Sequence, residues 1–301
     1  MTWAAWAVFL ALVPPPAEGV PEAALQRLSE EAEAFARVAP EVISQEVWRQ
    51  KAAKGRGFHP RIGRAPETPP QFAFRYREIA SEYGFATLQK PQPSLHEVRR
   101  VVSVDGRPVE GAAEARRKLT LALTAPDDKD RRRLLRDFER WGLEGALTDF
   151  GQSLLLFTRR ALPNYRFSAS GRERVGPDAA FVVAFHQDAG ASALTVFDDN
   201  RVTHRPLEGR LWLREPDFLP LRLELRTARD RDGQQIVDLA VVDYALSSHG
   251  VLLPASVLHR QHQGGRLAVE NSLQYGPFRR FAASAEIKFE AEEPAAQRPP
   301  Q

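Results

Sequence analysis

The sequence predicts an α+β protein built on a long antiparallel sheet, and three features carry that prediction. Runs with a period of two fill the C-terminal half, turn dipeptides punctuate them, and helical periodicity is confined to one segment near the start and one block in the middle.

The alternating runs are the clearest feature. Residues 206–214, PLEGRLWLR, place Leu207, Leu211 and Leu213 on one side and Glu208, Arg210, Trp212 and Arg214 on the other. Residues 219–227, LPLRLELRT, repeat the pattern with Leu219, Leu221, Leu223 and Leu225 against Arg222, Glu224 and Arg226. A period of two held this way means one buried and one solvated face, as antiparallel sheets allow. Asp198-Asp199-Asn200, Asp232-Gly233, His249-Gly250 and Gly264-Gly265 are the expected turns. The segment ENSLQYGPFRRFAASAEIKF (270–289) reads as a last hairpin turning at Gly276-Pro277, with Leu273 and Tyr275 on one strand and Phe281, Ile287 and Phe289 on the next.

Earlier in the chain, PEAALQRLSEEAEAFARV (21–38) carries Leu25, Leu28, Ala32, Phe35 and Ala36 at helical spacing and is ended by Pro40. Strands are expected in EVISQEVWRQ, in FAFRYREIASEYGF and in HEVRRVVSVDG, the last closing on an Asp105-Gly106 turn. From Gly111 to about Leu162 the apolar positions, including Leu134, Leu135, Phe138, Trp141, Phe150, Leu154 and Phe157, recur near 3.6, which predicts two or three helices broken near Ala125-Pro126 and Gly142. A curved sheet needs an apolar cover on its concave face, and the helices around residues 130–160 are the expected cover. The organisation expected is a leader (1–19), an N-terminal helix and strand extension (20–125), a sheet with helices (126–290) and a disordered Pro/Ala tail (291–301).

Composition narrows the function classes. With 42 basic and 39 acidic residues and 43% hydrophobic residues, the chain can build a core, and its charge balance does not favour nucleic-acid binding. The absence of cysteine removes disulfides, thiolate metal sites, a thiol nucleophile and a lipidated cysteine. MTWAAWAVFLALVPPPAEG has an apolar run from Trp3 to Val13 and small residues at Ala17 and Gly19, a cleaved secretory leader with cleavage after Gly19 and a periplasmic or secreted destination. The run is shorter than the ~20 residues that span a bilayer. Lys51, Lys54, Arg56, Arg61 and Arg64 lie in or beside a Gly/Pro-rich loop and could meet lipid head groups in a transient membrane-surface contact, although a solvated loop accounts for them more simply.

No catalytic signature is present. His259 and His262 in LHRQH project to opposite faces of a strand and read as a surface pair, and the other histidines are scattered. Asp198 and Asp199 read as turn residues, no G-x-S-x-G elbow or phosphate loop occurs, and no catalytic residue, metal site or cofactor is expected.

LEGRLWLREPDFLPLRLELRT, VDYALSSHGVLLPASVLHR and ENSLQYGPFRRFAASAEIKF together resemble the strand-turn-strand pattern of the superfamily of the periplasmic lipoprotein carrier LolA and its outer-membrane relative LolB, over residues 127–289. The resemblance implies an unclosed half-barrel whose concave face is capped by helices around an apolar cavity for acyl chains. On that reading the ligand would lie on the sheet face carrying Leu211, Leu213, Leu221, Leu223, Leu273, Tyr275, Phe281 and Ile287. Arg279 or Arg280 would be aimed inward at a head group, the alternative being protection of a sheet edge. The function expected is non-enzymatic carriage of a lipid or lipoprotein acyl chain by a monomer; the competing expectation is an interaction module whose sheet is filled by its own helices.

Overall fold

A computed structural model of the chain describes residues 19–54, 73–90, 93–141, 143–144, 149–188, 194–198, 201–205, 207–231 and 233–281. The expected leader apart from Gly19, most of the basic loop, Ile287 and the tail lie outside the described residues.

Helix α1 (Glu22–Val38) buries Ala24, Leu28, Ala32 and Phe35, a stripe at intervals of three and four. Pro40 sits in the short 3-10 turn Ala39–Glu41 that ends it and turns the chain into β1 (Val42–Ala53). Strands β2 (Phe74–Leu88), β3 (Ser94–Val104) and the two-residue β4 (Arg107–Pro108) follow. Asp105 (φ 51°) and Gly106 (φ 74°) make the tight turn before β4, as the dipeptide predicts.

Helices α2 (Ala112–Thr124) and α3 (Lys129–Glu139) come next, separated at Ala125-Pro126. Among the described residues after α3 the expected helical block holds 3-10 turns, Ser153–Phe157 and Leu162–Asn164, in place of α-helix; the expected break at Gly142 lies outside the described residues. The remaining strands are β5 (Tyr165–Val175), β6 (Asp178–Gln187), β7 (Leu194–Asp198), β8 (Arg201–Arg205), β9 (Glu208–Arg214), β10 (Pro220–Arg231), β11 (Gln234–Leu246), β12 (Leu252–Gln263), β13 (Arg266–Tyr275) and β14 (Arg279–Arg280).

One antiparallel, unclosed and curved sheet holds twelve of these strands in the order β4-β3-β2-β1-β13-β12-β11-β10-β9-β6-β5, with β14 also on β1; β7 and β8 form a separate hairpin. The chain starts in the middle of the sheet, runs out to one edge, crosses through α2 and α3 to the opposite edge, and returns strand by strand until β13 pairs with β1. Strands from both sides of residue 125 therefore share the sheet through Trp48↔Leu273 and its neighbours.

The closing segment differs from the expected hairpin. β14 does not fold back on β13; it continues along the same β1 neighbour, with Glu46↔Tyr275 followed by Ile43↔Arg279. Three residues of β1 are thus matched by four of the other strand, so Gly276-Pro277 is a bulge rather than a turn. Gly276 still donates its N–H to Gln45 O (2.8 Å), and Pro277, which has no N–H, takes a place where none is needed.

The two faces of the sheet hold separate cores. Even-numbered side chains of β1 and odd-numbered ones of β2 and β3, including Val42, Trp48, Ile79, Tyr83, Phe85 and Val101, join the large inner core with α1 and the Ser153–Phe157 turn. Their alternates Ile43, Ala86 and Val98 meet Leu119 and Ala122 of α2 on the outer face. The inner cover is therefore made by the expected 130–160 segment, through Phe138 of α3, Phe150 and the Ser153–Phe157 3-10 turn, together with α1, which was not expected there. α3 lies along β3 and reaches both faces, Leu134 outward and Phe138 inward.

Gly209 on β9 allows the closest approach in the sheet: a Cβ there would fall 1.9 Å from Glu224 O and 2.8 Å from the Phe185 ring. Gly209→Ala is expected to destabilise the protein by about 2 kcal/mol or more, whereas Gly276→Ala, with nothing nearer than 3.6 Å, should be nearly neutral. Urea unfolding midpoints of the two variants check this, and equal midpoints would contradict the packing at Gly209.

Candidate inner-face site

Leu211 and Leu213 on β9, Leu223 on β10 and Leu273 on β13 all enter the inner core and are at most 2% exposed. Tyr275 packs against the same core, its ring 4.8 Å from that of Tyr83. Two of the expected residues point elsewhere. The strand pairing slips between Pro220 and Arg222, which leaves Leu221 as the extra residue and sends it to the outer cluster of Ala180, Val182 and Trp212. Phe281, beyond the Gly276-Pro277 bulge, packs beside Ile43 and Leu119 on the outer face.

Arg279 and Arg280 are both exposed, and Arg280 stands 3.7 Å from the exposed Glu41, so neither is aimed inward. The inward charge belongs to Arg99 of β3. Its guanidinium donates through Nε (2.6 Å) and Nη2 (2.9 Å) to Glu46 of β1, and through Nη2 (2.6 Å) to Glu97, a bidentate grip and a second carboxylate on one cation. Trp48, Tyr83 and Phe138 place their rings 5.0–5.2 Å from its centre. Burial pushes the Glu97 carboxyl up to about 7; Arg99 opposes that rise and the nearby Asp149 and Glu46 add to it.

A second buried polar chain crosses four strands. Trp48 Nε1 and Gln50 Nε2 donate to Asn271 Oδ1 (2.9 and 2.8 Å), and Asn271 Nδ2 faces His259 Nδ1 (3.1 Å). His259 Nε2 in turn faces Asp238 Oδ1 (3.1 Å), which also accepts from Gln261 (2.8 Å). An indole N–H only donates, so Asn271 must turn its oxygen to Trp48 and its NH2 to His259. With the amide turned this way, His259 Nδ1 accepts from Asn271 and Nε2 is the nitrogen that faces Asp238. Burial raises the Asp238 carboxyl, but hydrogen bonds from His259 and Gln261 and the charge of Arg229 outweigh it and hold it below the usual range. His259 is fully buried against Phe150, not part of a surface pair with His262. Among the described residues no three His, Asp or Glu side chains are placed to hold a metal ion.

The inner face opens at one end. A groove of about 540 Å3 is lined by Gly19 and Pro21 before and at the start of α1, Phe181 of β6, Pro216 and Phe218 of the β9–β10 turn, and Arg172 and Glu215 at its rim. Phe181 belongs to the inner core and Phe218 packs against it, so the groove borders the covered face. Arg172 Nε donates to Glu215 (2.9 Å) across the rim.

Sequence periodicity missed the polar members of this face because β1 and β3 carry charge on both sides. HEVRRVV offers His96, Val98 and Arg100 to one face and Glu97, Arg99 and Val101 to the other, and only packing decides which is buried. The visible signal was an acid and a base two residues apart on one strand face.

No protein-family model matches the chain, and no curated protein matches it. Two solved structures are similar in arrangement. A DUF1329 family protein from Desulfovibrio piger is 10% identical, with 85% of this chain and 92% of that one covered at a TM-score of 0.34. A LolA superfamily protein from Nitrosomonas europaea is 13% identical, with 86% and 94% covered at a TM-score of 0.33.

Removing the cation from the Arg99 cluster leaves two carboxylates in a dry interior. Arg99→Met is expected to destabilise the protein by about 3–5 kcal/mol at pH 8. The loss should shrink toward pH 5, because a carboxyl raised in the fold takes up its proton before the unfolded chain does, so stability rises as pH falls through that range. Urea denaturation of the variant at both pH values checks the size and the sign.

Proposed function

We propose that this is an exported, non-enzymatic protein that takes an acyl chain between its curved sheet and the α1/3-10 cover. The observation that carries the reading is the groove at the start of α1, whose Phe181 wall belongs to the inner core and whose Phe218 wall packs against it. An apolar slot of this size, with a charged pair at its mouth, suits a chain with a polar head. The bound chain would extend from the groove over Leu211, Leu213 and Leu223, the Arg172–Glu215 rim would meet the head group, and the cover, segment 149–157 with α1, would lift to admit it.

The leader-like first nineteen residues support export to the periplasm or beyond, and no helix among the described residues is long and apolar enough to cross a membrane. The proposed donor or acceptor is a lipid or lipoprotein acyl chain met at a membrane surface, with the protein acting as a monomer.

A second reading, an interaction module with no ligand, draws on the same leucines: α1 and the Ser153–Phe157 turn already cover them completely. Uptake of a fluorescent fatty-acyl probe, with native mass spectrometry of the exported protein, separates the two. The carrier reading expects one bound chain per protein, and Phe218→Glu at the groove is expected to weaken uptake at least about tenfold, measured without urea on variant protein shown to be folded. No co-purified lipid and no probe uptake by the native chain would leave the packed module.

A further inference from the structure

Glu97 stands where the sheet meets the cover. Its Oε2 takes Arg99, and its Oε1 accepts the N–H of Gly151 (2.5 Å), the residue that leads into the Ser153–Phe157 turn. Gly151 has no room for a side chain: a Cβ would lie 2.8 Å from Glu97 Oε1 and 2.9 Å from Tyr83 Oη, so the cover's backbone rests directly on the carboxyl. A second tether follows, Leu154 N–H donating to Tyr244 Oη (3.0 Å). Every charged group around Glu97 can be placed: Arg99 on its own strand, Glu46 on β1, and Asp149 on the cover, itself 3.3 Å from His96. The phenols of Tyr83, Tyr244 and Tyr275 complete the surroundings. Two sheet carboxylates share one guanidinium, so the ionised cluster holds an uncompensated negative charge out of water. The hydroxyls of Tyr83 and Tyr275 have no hydrogen-bond partner of full geometry beside it.

We infer that the Glu46–Arg99–Glu97 cluster is a proton-controlled clasp on the cover: with Glu97 protonated, segment 149–157 stays seated on the sheet, and with Glu97 ionised it lifts and exposes the inner face. The inference rests on the proposal that this segment is a movable cover. The sign follows from linkage. Glu97 titrates near 7 when covered and, once solvated, near its ordinary 4.5. The covered state therefore binds the proton more tightly, and the open state gains as pH rises through that interval. Between pH 6 and pH 8 the open population should grow about tenfold, which is what those two values give for one titrating group. Release is thus favoured on the alkaline side, the reverse of what an ordinary carboxylate ion pair would do.

Hydrogen–deuterium exchange on the full chain at pH 6 and pH 8, corrected for the intrinsic pH dependence of exchange, tests this. Protection of the Gly151 and Leu154 amides should fall about tenfold, relative to amides in β11 and β12, and Glu97→Gln should remove the dependence. Equal protection at both pH values, or a Glu97→Gln chain that keeps the dependence, overturns the clasp. Should Glu97→Gln fail to fold, Asp149→Asn serves: it removes a charge that raises the Glu97 carboxyl, so the midpoint of opening must move to lower pH, and an unmoved midpoint is equally fatal. Acyl-probe uptake without pH-dependent opening would sink the clasp alone; pH-dependent opening without uptake would sink the carrier reading alone.

Discussion

The pairing of β1 with β13 holds the molecule together. Trp48 and Asn271, hydrogen-bonded across that pair, are 223 residues apart in the chain, so a very long loop must close before either half of the sheet has a neighbour on its inner side. Once it closes, strands that run outward from β1 and strands that return from β5 become one surface. The inner core is continuous across that surface, from Val101 on β3 to Tyr165 on β5, and α1 can cover it only because both halves are present.

Such a surface would ordinarily be filled with aliphatic side chains, and on β9 and β10 it is. On β1, β3, β11, β12 and β13 it also carries the buried Glu46, Arg99, His259 and Asn271 and the largely buried Asp238. Each of these polar groups is satisfied by another, in a fixed sense set by donors with no acceptor role, Trp48 on one side and Arg99 on the other. A chain of this kind is expensive to break at any single point, because every removed partner leaves a buried group unmatched.

The cover itself is held unevenly. α1 packs by apolar contact through Leu28 and Phe35, the latter edge-on to Phe85 at 5.3 Å, while Phe157 is wedged among Tyr165, Phe167 and Phe185. Between them the backbone at Gly151 and Leu154 is tied by hydrogen bonds to a carboxyl and a phenol. Apolar contacts change little with pH and the carboxyl bond changes steeply, so one cover combines a constant and an adjustable attachment.

The sequence by itself determined the sheet and most of its strands, because alternation is a local property: Leu211, Leu213, Leu223 and Leu273 were legible as one face from their spacing alone. Asp105-Gly106 and Gly264-Gly265 were legible as turns for the same reason, since the backbone needs positive φ at those positions. Where a single extra residue enters, alternation loses its phase. That is why Leu221 and Phe281 point outward against their parity, and why the apparent hairpin at Gly276-Pro277 is one strand continuing along β1. Tertiary structure alone decided that β1 meets β13, that α1 joins part of the 130–160 block in covering the inner face, and that Arg99 rather than Arg279 or Arg280 carries the inward charge. Those outcomes depend on contacts between residues far apart in the chain, and a charge can be buried only where the fold brings it partners.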